Sequence, residues 1–335
     1  MSYVIKSVLE NYQIDLKAIT EIKSGHINST WLVEEIGGKK FILQKINPLF
    51  PYEIHKNIEA AIKVLHENEI QAPNIIKNKL GELFTNINKD IWRLQDYIYG
   101  EYFEIMPSDD HAYHTSESLA KMQNCWNADK TILSTKTIGH NTKKFIDNLM
   151  QTLLEHSEHN HAKDAYNISL DINNIYDSIP KINHDSIQVC HGDPKLTNII
   201  FKPNNSKVES WVDFDTIGLL NPLDELGDAI RSWCNPLSED NPESYLDKYL
   251  LSATLQGYLS STISSHSILK ESIFFHTLKI TVELAARFAT DILNESYFGW
   301  DQKKYERAAL HNILRAKAQL EVAKSIQKQK KHFIN

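Results

Sequence analysis

The apolar positions of the first hundred residues change period three times. Val4, Ile5, Val8 and Leu9 fall on one helical face and predict a short helix over residues 1–17. Alternation then takes over, and residues 19–23, 30–35 and 40–46 are expected as strands. The turn S-G-H-I-N-S separates the first two, and Gly37-Gly38 suits a tight hairpin between the second and third. Ile54, Ile58, Ala61, Ile62 and Leu65 return to helical spacing and predict a helix over 54–68, with Pro73 beyond its end. Two more strand-like runs follow, 82–86 and 91–97, joined by I-N-K-D, and Gly100 is expected as a hinge.

From about Thr115 the pattern is helical. Helices are expected over 116–126 (Leu119, Ala120, Met122, Trp126), 142–156 (Phe145, Leu149, Met150, Leu153) and 172–179. The period then breaks. Residues 187–190, 198–201 and 208–214 read as short strands, the last two joined by the turn formers K-P-N-N-S-K. A loop containing G-L-L-N-P-L follows Asp215, and the rest is expected to be helical, including 242–264, 272–293 and 303–328. There is no internal repeat, and the tail Q-K-Q-K-K-H reads as a solvated helix end.

Composition narrows the partners. A chain of 335 residues is long for one core and comfortable for two lobes. A formal charge of −7 carries no basic excess, so no nucleic-acid partner is expected. Cys125, Cys190 and Cys234 have neither metal nor disulfide spacing and are expected as buried free thiols in a reducing compartment. The start of the chain lacks the apolar core of a signal peptide, and no apolar run approaches a membrane span. A cytoplasmic protein with no membrane partner is therefore expected. His156, His159 and His161 cluster in H-S-E-H-N-H-A-K-D without an acidic or Cys partner at ligand spacing, which favours a solvated loop over a metal site.

The candidate chemistry lies in V-C-H-G-D-P-K-L-T-N-I-I-F (189–201), W-V-D-F-D-T (211–216) and E-L-G-D-A-I-R (225–231). Phosphoryl transfer needs a held triphosphate, a metal to neutralise it, and an aimed acceptor hydroxyl. Asp193 can accept the hydroxyl proton. Asn198, five residues on, and Asp213, returned by a hairpin, can hold magnesium through oxygen. His191 is expected to brace the loop. Lys195 either contacts the transferred phosphate or lies at the surface. Asp228 is expected to anchor the loop from below, and Arg231 to be structural.

H-x-D-x-K-x-x-N resembles the catalytic loop of protein kinases, with D-F-D in place of D-F-G. The order β-β-β-α-β-β matches the small lobe of that fold. The expected architecture is α+β and bilobal, with a small, mostly β nucleotide-binding lobe over 1–98 and a larger, mostly α catalytic and substrate-binding lobe over 99–335. No D-F-G with an activation segment and A-P-E is present, which argues against protein-kinase activity. The chain more closely resembles the aminoglycoside phosphotransferase and choline kinase superfamily, and within it the N-acetylhexosamine 1-kinases. The resemblance rests on S-G-H-I-N-S-T, F-I-L-Q-K-I-N, W-R-L-Q-D-Y-I, G-H-N-T-K-K-F, V-D-F-D-T, R-F-A-T-D-I-L and H-N-I-L-R-A-K-A-Q-L.

That resemblance implies a kinase using ATP and Mg2+ on a small molecule, a sugar phosphorylated at its anomeric hydroxyl. An aminoglycoside, a choline-like or another hydroxylated amine is the alternative acceptor, and a nucleotide-binding pseudokinase the alternative role. It implies Asp193 as base, Asn198 and Asp213 as magnesium ligands, and His26, Arg287 and Tyr297 near the sugar. Two points depart from the pattern. Gly192 stands where those sugar kinases usually have Asn. On the third strand either Lys45 or Gln44 faces the phosphates, because neighbouring side chains take opposite faces. Glu59 is the candidate ion-pair partner of that residue, and the hinge from Asp96 to Ile98 would offer backbone groups to adenine. Glu239, Asp240, Glu243 and Asp247 keep a cationic acceptor open.

Overall fold

Helix α1 (Tyr3–Glu10) precedes the antiparallel strands β1 (Leu16–Ile22), β2 (Ser29–Glu35) and β3 (Lys40–Ile46). The structure is a computed structural model and describes residues 3–22, 28–127, 140–181, 187–262 and 266–334. The first helix is shorter than its expected span. The chain leaves it through Gln13 at φ 58° and is already extended at Leu16. Gly38, at φ +86°, closes the β2–β3 hairpin in a conformation that suits glycine.

Next come α2 (Ile54–Glu67), β4 (Ile75–Ile76), β5 (Thr85–Ile87) and β6 (Asp90–Asp96). The sheet runs β1-β2-β3-β6-β4, with β5 also paired to β6. Its element order is the expected one except for β4, whose two residues are too few to show a period. Ile5, Val8, Leu9 and Tyr12 of α1 and the turn after it cover one sheet face, packing with Val33, Phe41, Leu43, Trp92 and Leu94. Strand alternation therefore sends Gln44 and Arg93 to the other face.

The second lobe is built on α3 (Asp109–Asn127), α4 (Thr142–Glu155), α5 (Ala162–Asp177), α6 (Pro222–Trp233), α7 (Lys248–Ser261), α8 (His266–Asn294), α9 (Ala308–Lys328) and α10 (Lys330–Ile334). Helix α8 is its spine, packing against α4, α5, α6 and α9. Phe288, Ala285, Ala289 and Ile292 of α8 belong to the large core. Helices α3 and α5 start earlier than the apolar pattern suggests. The first turn of α3 is mostly polar and opens on Asp109 and Asp110, which suit the positive end of a helix, while that of α5 is A-K-D-A. Helix α7 starts later than expected, because the Asp247 carboxylate caps it by accepting from the Tyr249 and Leu250 amides.

Two small ribbons carry the central motif. β7 (Gln188–Cys190) pairs with β10 (Gly218–Leu220), and β8 (Ile199–Phe201) with β9 (Val208–Trp211). The strand expected over 208–214 stops at Trp211, and the G-L-L stretch expected as loop forms β10. Gly100, expected as a hinge, sits in close contact with the β8 strand. A Cβ there would lie 2.4 Å from Phe201 O. Beside it Glu101 and Phe201 exchange backbone bonds of 2.9 and 2.7 Å. All three cysteines are free. Cys190 and Cys234 are buried and Cys125 partly so. No described helix is long and apolar enough to cross a membrane.

Candidate active site

Strand β7 delivers His191 into the core, between the rings of Trp211 and Phe214. Its Nε2–H donates to Val212 O at 3.0 Å. Burial pushes its pKa down to about 4, so the ring is neutral and Nδ1 is free to accept the Asp193 amide at 3.4 Å. This is the brace the sequence suggests. Two groups of α6 hold the loop as well. Glu225 Oε1 accepts the Gly192 amide at 2.8 Å, and Trp233 Nε1 donates to Pro194 O at 2.7 Å. Asp228, expected in that role, instead accepts from Arg231 Nε and Nη2 at 2.9 and 2.7 Å. An arginine three residues along the same helix is within its reach.

Asp193 Oδ2 receives Lys195 Nζ at 2.5 Å and Asn198 Nδ2 at 3.2 Å. A 3-10 turn, Leu196–Asn198, folds the amide back over the carboxylate, and Nδ2 also donates to Asp193 O at 2.9 Å. The Asn198 Oδ1 therefore points away from Asp193. Burial works against the Lys195 ammonium, but Asp193 and Asp213 outweigh it and raise its pKa. Lys195 is thus a held cation beside the Asp193 carboxylate.

Asp213 follows β9 in the left-handed region, at φ 63° and ψ 62°, a strained choice for a residue other than glycine. Burial, and then the carboxylates of Asp215 and Asp193, raise its pKa to about 7. Crowded carboxylates of this kind suit a cation, whose charge would reverse the shift. Among the described residues no group of three or more His, Cys, Asp or Glu side chains could hold a metal by itself. The donors on offer are the Asp213 carboxylate and the Asn198 amide oxygen. Magnesium accepts such a sparse oxygen set when phosphates and waters complete its shell.

The folded pKa of Asp213 lies above its ordinary 3.8, so the folded state holds this proton more tightly between pH 3.8 and about 7. Its contribution to stability falls as pH rises through that window. Without metal, Asp213→Asn is expected to gain Tm on the wild type from pH 4 to pH 7.5. A constant Tm difference across that range would refute the shift.

The two lobes meet at a second carboxylate, Asp215. Arg93, buried on β6, reaches its Oδ1 at 2.5 Å and its Oδ2 at 3.1 Å, and also donates to Gln44 Oε1 at 2.6 Å. Asn28 Nδ2 adds a bond of 2.6 Å to Asp215 Oδ2, while Asn28 Oδ1 accepts the Asn47 amide at 2.9 Å. Burial opposes ionisation of Asp215, but Arg93 more than offsets it and lowers the pKa. Gln44 therefore lies on the sheet face turned to the second lobe. Lys45 takes the α1 side and pairs with Asp90 at 2.7 Å. Glu59 pairs with Lys77 at 2.9 Å and not with a β3 residue.

At the hinge the Asp96 amide is already given to Asn74 O at 3.0 Å. Asp96 and Ile98 line a concavity of about 530 Å³ with Gly38, Lys40, Ala72 and Tyr99, and none of Asp193, Asn198 and Asp213 contributes to it.

Arg287 on α8 and Tyr297 beyond its end come together, with Nη2 donating to Tyr297 Oη at 3.1 Å. The guanidinium also lies 5.3 Å from the Phe145 ring and 5.7 Å from that of Phe298. Asp291 holds the turn by accepting the amides of Ser296, Tyr297 and Phe298, each at 2.9 Å. Tyr297 is 63% exposed. Burial opposes ionisation of Asp228, yet Arg231, His140 and Arg287 hold its pKa low, so Asp228 feels the Arg287 charge. Arg231 feels Asp193 in turn. His26 lies outside the described residues. His159 approaches Glu295 at 3.6 Å and His161 approaches Asp164 at 3.2 Å.

The acidic run between α6 and α7 is largely committed. Glu239 pairs with Arg231 at 3.2 Å, and Asp240 with Arg315 at 2.8 Å and His311 at 2.9 Å. Asp247 is the α7 cap. Sequence reasoning assigned no role to Arg93, Asp215, Asn28, Glu225 or Trp233. Arg93 had a signal: a charged residue inside the apolar strand I-W-R-L must find a partner if buried. The identity of that partner, 122 residues away, had none.

The sequence pattern of the phosphotransferase enzyme family matches residues 18–259. Several solved structures share the fold. A microcompartment-associated aminopropanol kinase superposes with a TM-score of 0.69 at 13% identity, over 98% of this chain and 98% of that one. An amicoumacin kinase in complex with AMP-PNP and Ca2+ gives 0.66 at 10% identity, over 95% and 92%. A spectinomycin phosphotransferase in complex with ADP and spectinomycin gives 0.62 at 12% identity, over 97% and 98%. At such identities the likeness is one of fold, a small antiparallel sheet lobe on a larger helical lobe. The family match is broader evidence, for it spans most of the chain, including the Asp193 loop and D-F-D: the protein belongs to the phosphotransferase enzyme family.

Proposed function

We propose that the protein is an ATP- and magnesium-dependent kinase of a small hydroxylated molecule. The acceptor we favour is an N-acetylhexosamine or related sugar, phosphorylated at its anomeric hydroxyl. The observation that carries the reading is Asp193, held by Lys195 and Asn198 beside the crowded carboxylate of Asp213. In this role Asp193 orients the acceptor hydroxyl and takes its proton at a carboxylate oxygen. Lys195 balances the charge of that carboxylate and faces the charge of the transferred group. Asp213 and Asn198 hold magnesium, which when bound neutralises the phosphate oxygens. The hinge at Ile98 receives adenine, and the need for ATP sets the reaction in the cytoplasm.

For the acceptor, Arg287 offers donors to hydroxyl or carbonyl oxygens, and the exposed Tyr297 ring offers a face to sugar C–H groups. The charge balance supports a neutral acceptor. Of the four acidic residues here, Glu239 and Asp240 are engaged by Arg231, Arg315 and His311, and Asp247 by a helix end, which leaves Glu243 exposed. An ammonium group would also meet Arg287. The test is ATP consumption against a panel of N-acetylhexosamines, other sugars, aminoglycosides and amino alcohols, with NMR of the product. The expected product is a sugar whose phosphorus couples to the anomeric proton. A response confined to amines would overturn the sugar assignment. Magnesium-dependent ATP binding without consumption across the panel would point to a pseudokinase.

A further inference from the structure

We infer that the solvent-facing side of α4 and α5 is a two-fold interface between copies of this chain, with α5 lying antiparallel to the α5 of the second copy. The surface is separate from the active site and does not depend on the reaction.

Helices α4 and α5 both rest on α8, and they touch each other where Asn173 Nδ2 lies 3.8 Å from Met150 Sδ. On α5 the core takes Ala165, Ile168, Ile172 and Ile175. The opposite side of such a helix is ordinarily polar. Here it carries Tyr166, 50% exposed, and Leu170, 46% exposed, while α4 adds Met150 and, one turn on, Leu154, which is 74% exposed. A lone exposed leucine needs no explanation, but four large apolar side chains on two touching helices form a patch that marks a contact surface.

The charges identify what covers it. Lys163, Leu170 and Asp177 recur at heptad spacing along α5 and share its exposed face. The two charges stand about 21 Å apart along the helix, too far to pair with each other. Among the described residues neither has a partner, whereas the charges around them are committed: Lys143 to Asp147, Asp164 to His161 and Asp171 to Lys324. A face with an apolar centre and opposite unpaired charges at its two ends is complementary to itself, in the antiparallel sense alone. Antiparallel pairing about Leu170 sets that leucine against its own copy and Lys163 against Asp177 of the second copy, twice over by symmetry. Parallel pairing would oppose lysine to lysine and aspartate to aspartate.

Sedimentation equilibrium of the full chain over a range of concentrations tests this, with circular dichroism to show that each variant is folded. The wild type is expected to dimerise reversibly. Leu170→Glu, which puts two carboxylates on the symmetry axis, is expected to weaken the dimer by about 100-fold. Lys163→Glu and Asp177→Lys each oppose like charges at both ends of the interface, and each is expected to weaken the dimer by about tenfold. Combined in one chain they restore both pairs with the signs exchanged, and the dimer is expected to return to within about threefold of wild type. That rescue distinguishes this antiparallel register from any other contact, and it stands whether or not Leu170→Glu folds. A wild type that stays monomeric at about 100 μM, a dimer indifferent to Leu170→Glu, or a double variant no stronger than the single ones would overturn the inference.

Discussion

Asp193→Asn is expected to lower turnover by about a thousandfold while the protein stays folded. The amide is the same size and still meets Asn198, but it cannot take the acceptor's proton. It also leaves the Lys195 ammonium without the 2.5 Å contact that neutralises it. The loop itself should persist, because its supports are independent of this carboxylate: His191 on Val212 O, Glu225 on the Gly192 amide, and Trp233 on Pro194 O. Turnover under saturating ATP and acceptor, beside a thermal unfolding curve, is the check. A variant that retains a tenth or more of wild-type turnover would remove Asp193 from the role of base.

Gly192→Ala should be about as damaging, through stability. Gly192 has φ +85°, and a Cβ there would sit 2.4 Å from Thr216 O. The neighbour has little freedom to withdraw. Thr216 Oγ1 donates to His191 O at 2.9 Å, and two residues on, Gly218 pairs with Cys190 in the β7–β10 ribbon. Left-handed strain of about 1–2 kcal/mol and overpacking of about 1–3 kcal/mol combine to an expected loss of about 2–5 kcal/mol. Denaturant unfolding measures it, and wild-type stability in the alanine variant would show the contact to be soft. Gly192→Asn carries the same Cβ and is expected to fail in the same way. Glycine at this position therefore reports on Thr216 and the ribbon.

The parts of the site that could be read in advance are those set by short-range spacing. Asp193, Lys195 and Asn198 lie within one turn and one 3-10 helix, so their meeting follows from local geometry. Asp213 returns through a hairpin marked by its turn residues. Arg287 and Tyr297 came from family resemblance, and the fold places them in contact. Elements of two or three residues, β4 and β10, could not be read, because no period can show in so short a run. The starts of α3 and α5 could not be read for a related reason: their first turns offer the core only alanines, Ala112 in α3 and Ala162 and Ala165 in α5, too small to mark a stripe among polar neighbours.

The choice between Lys45 and Gln44 marks the boundary most clearly. From sequence alone the apolar periods determined the β-β-β-α-β-β lobe followed by helices, and alternation along β3 determined that one of these two residues, and only one, faces the second lobe. Which one was decided by tertiary structure. Helix α1 covers the face bearing Phe41 and Leu43 and so takes Lys45 with it. Arg93 finds Asp215 across the lobe boundary and draws Gln44 into the same network. A strand's period records that its two faces differ. What covers each face is a long-range contact, and it exists only once the lobes have closed on each other.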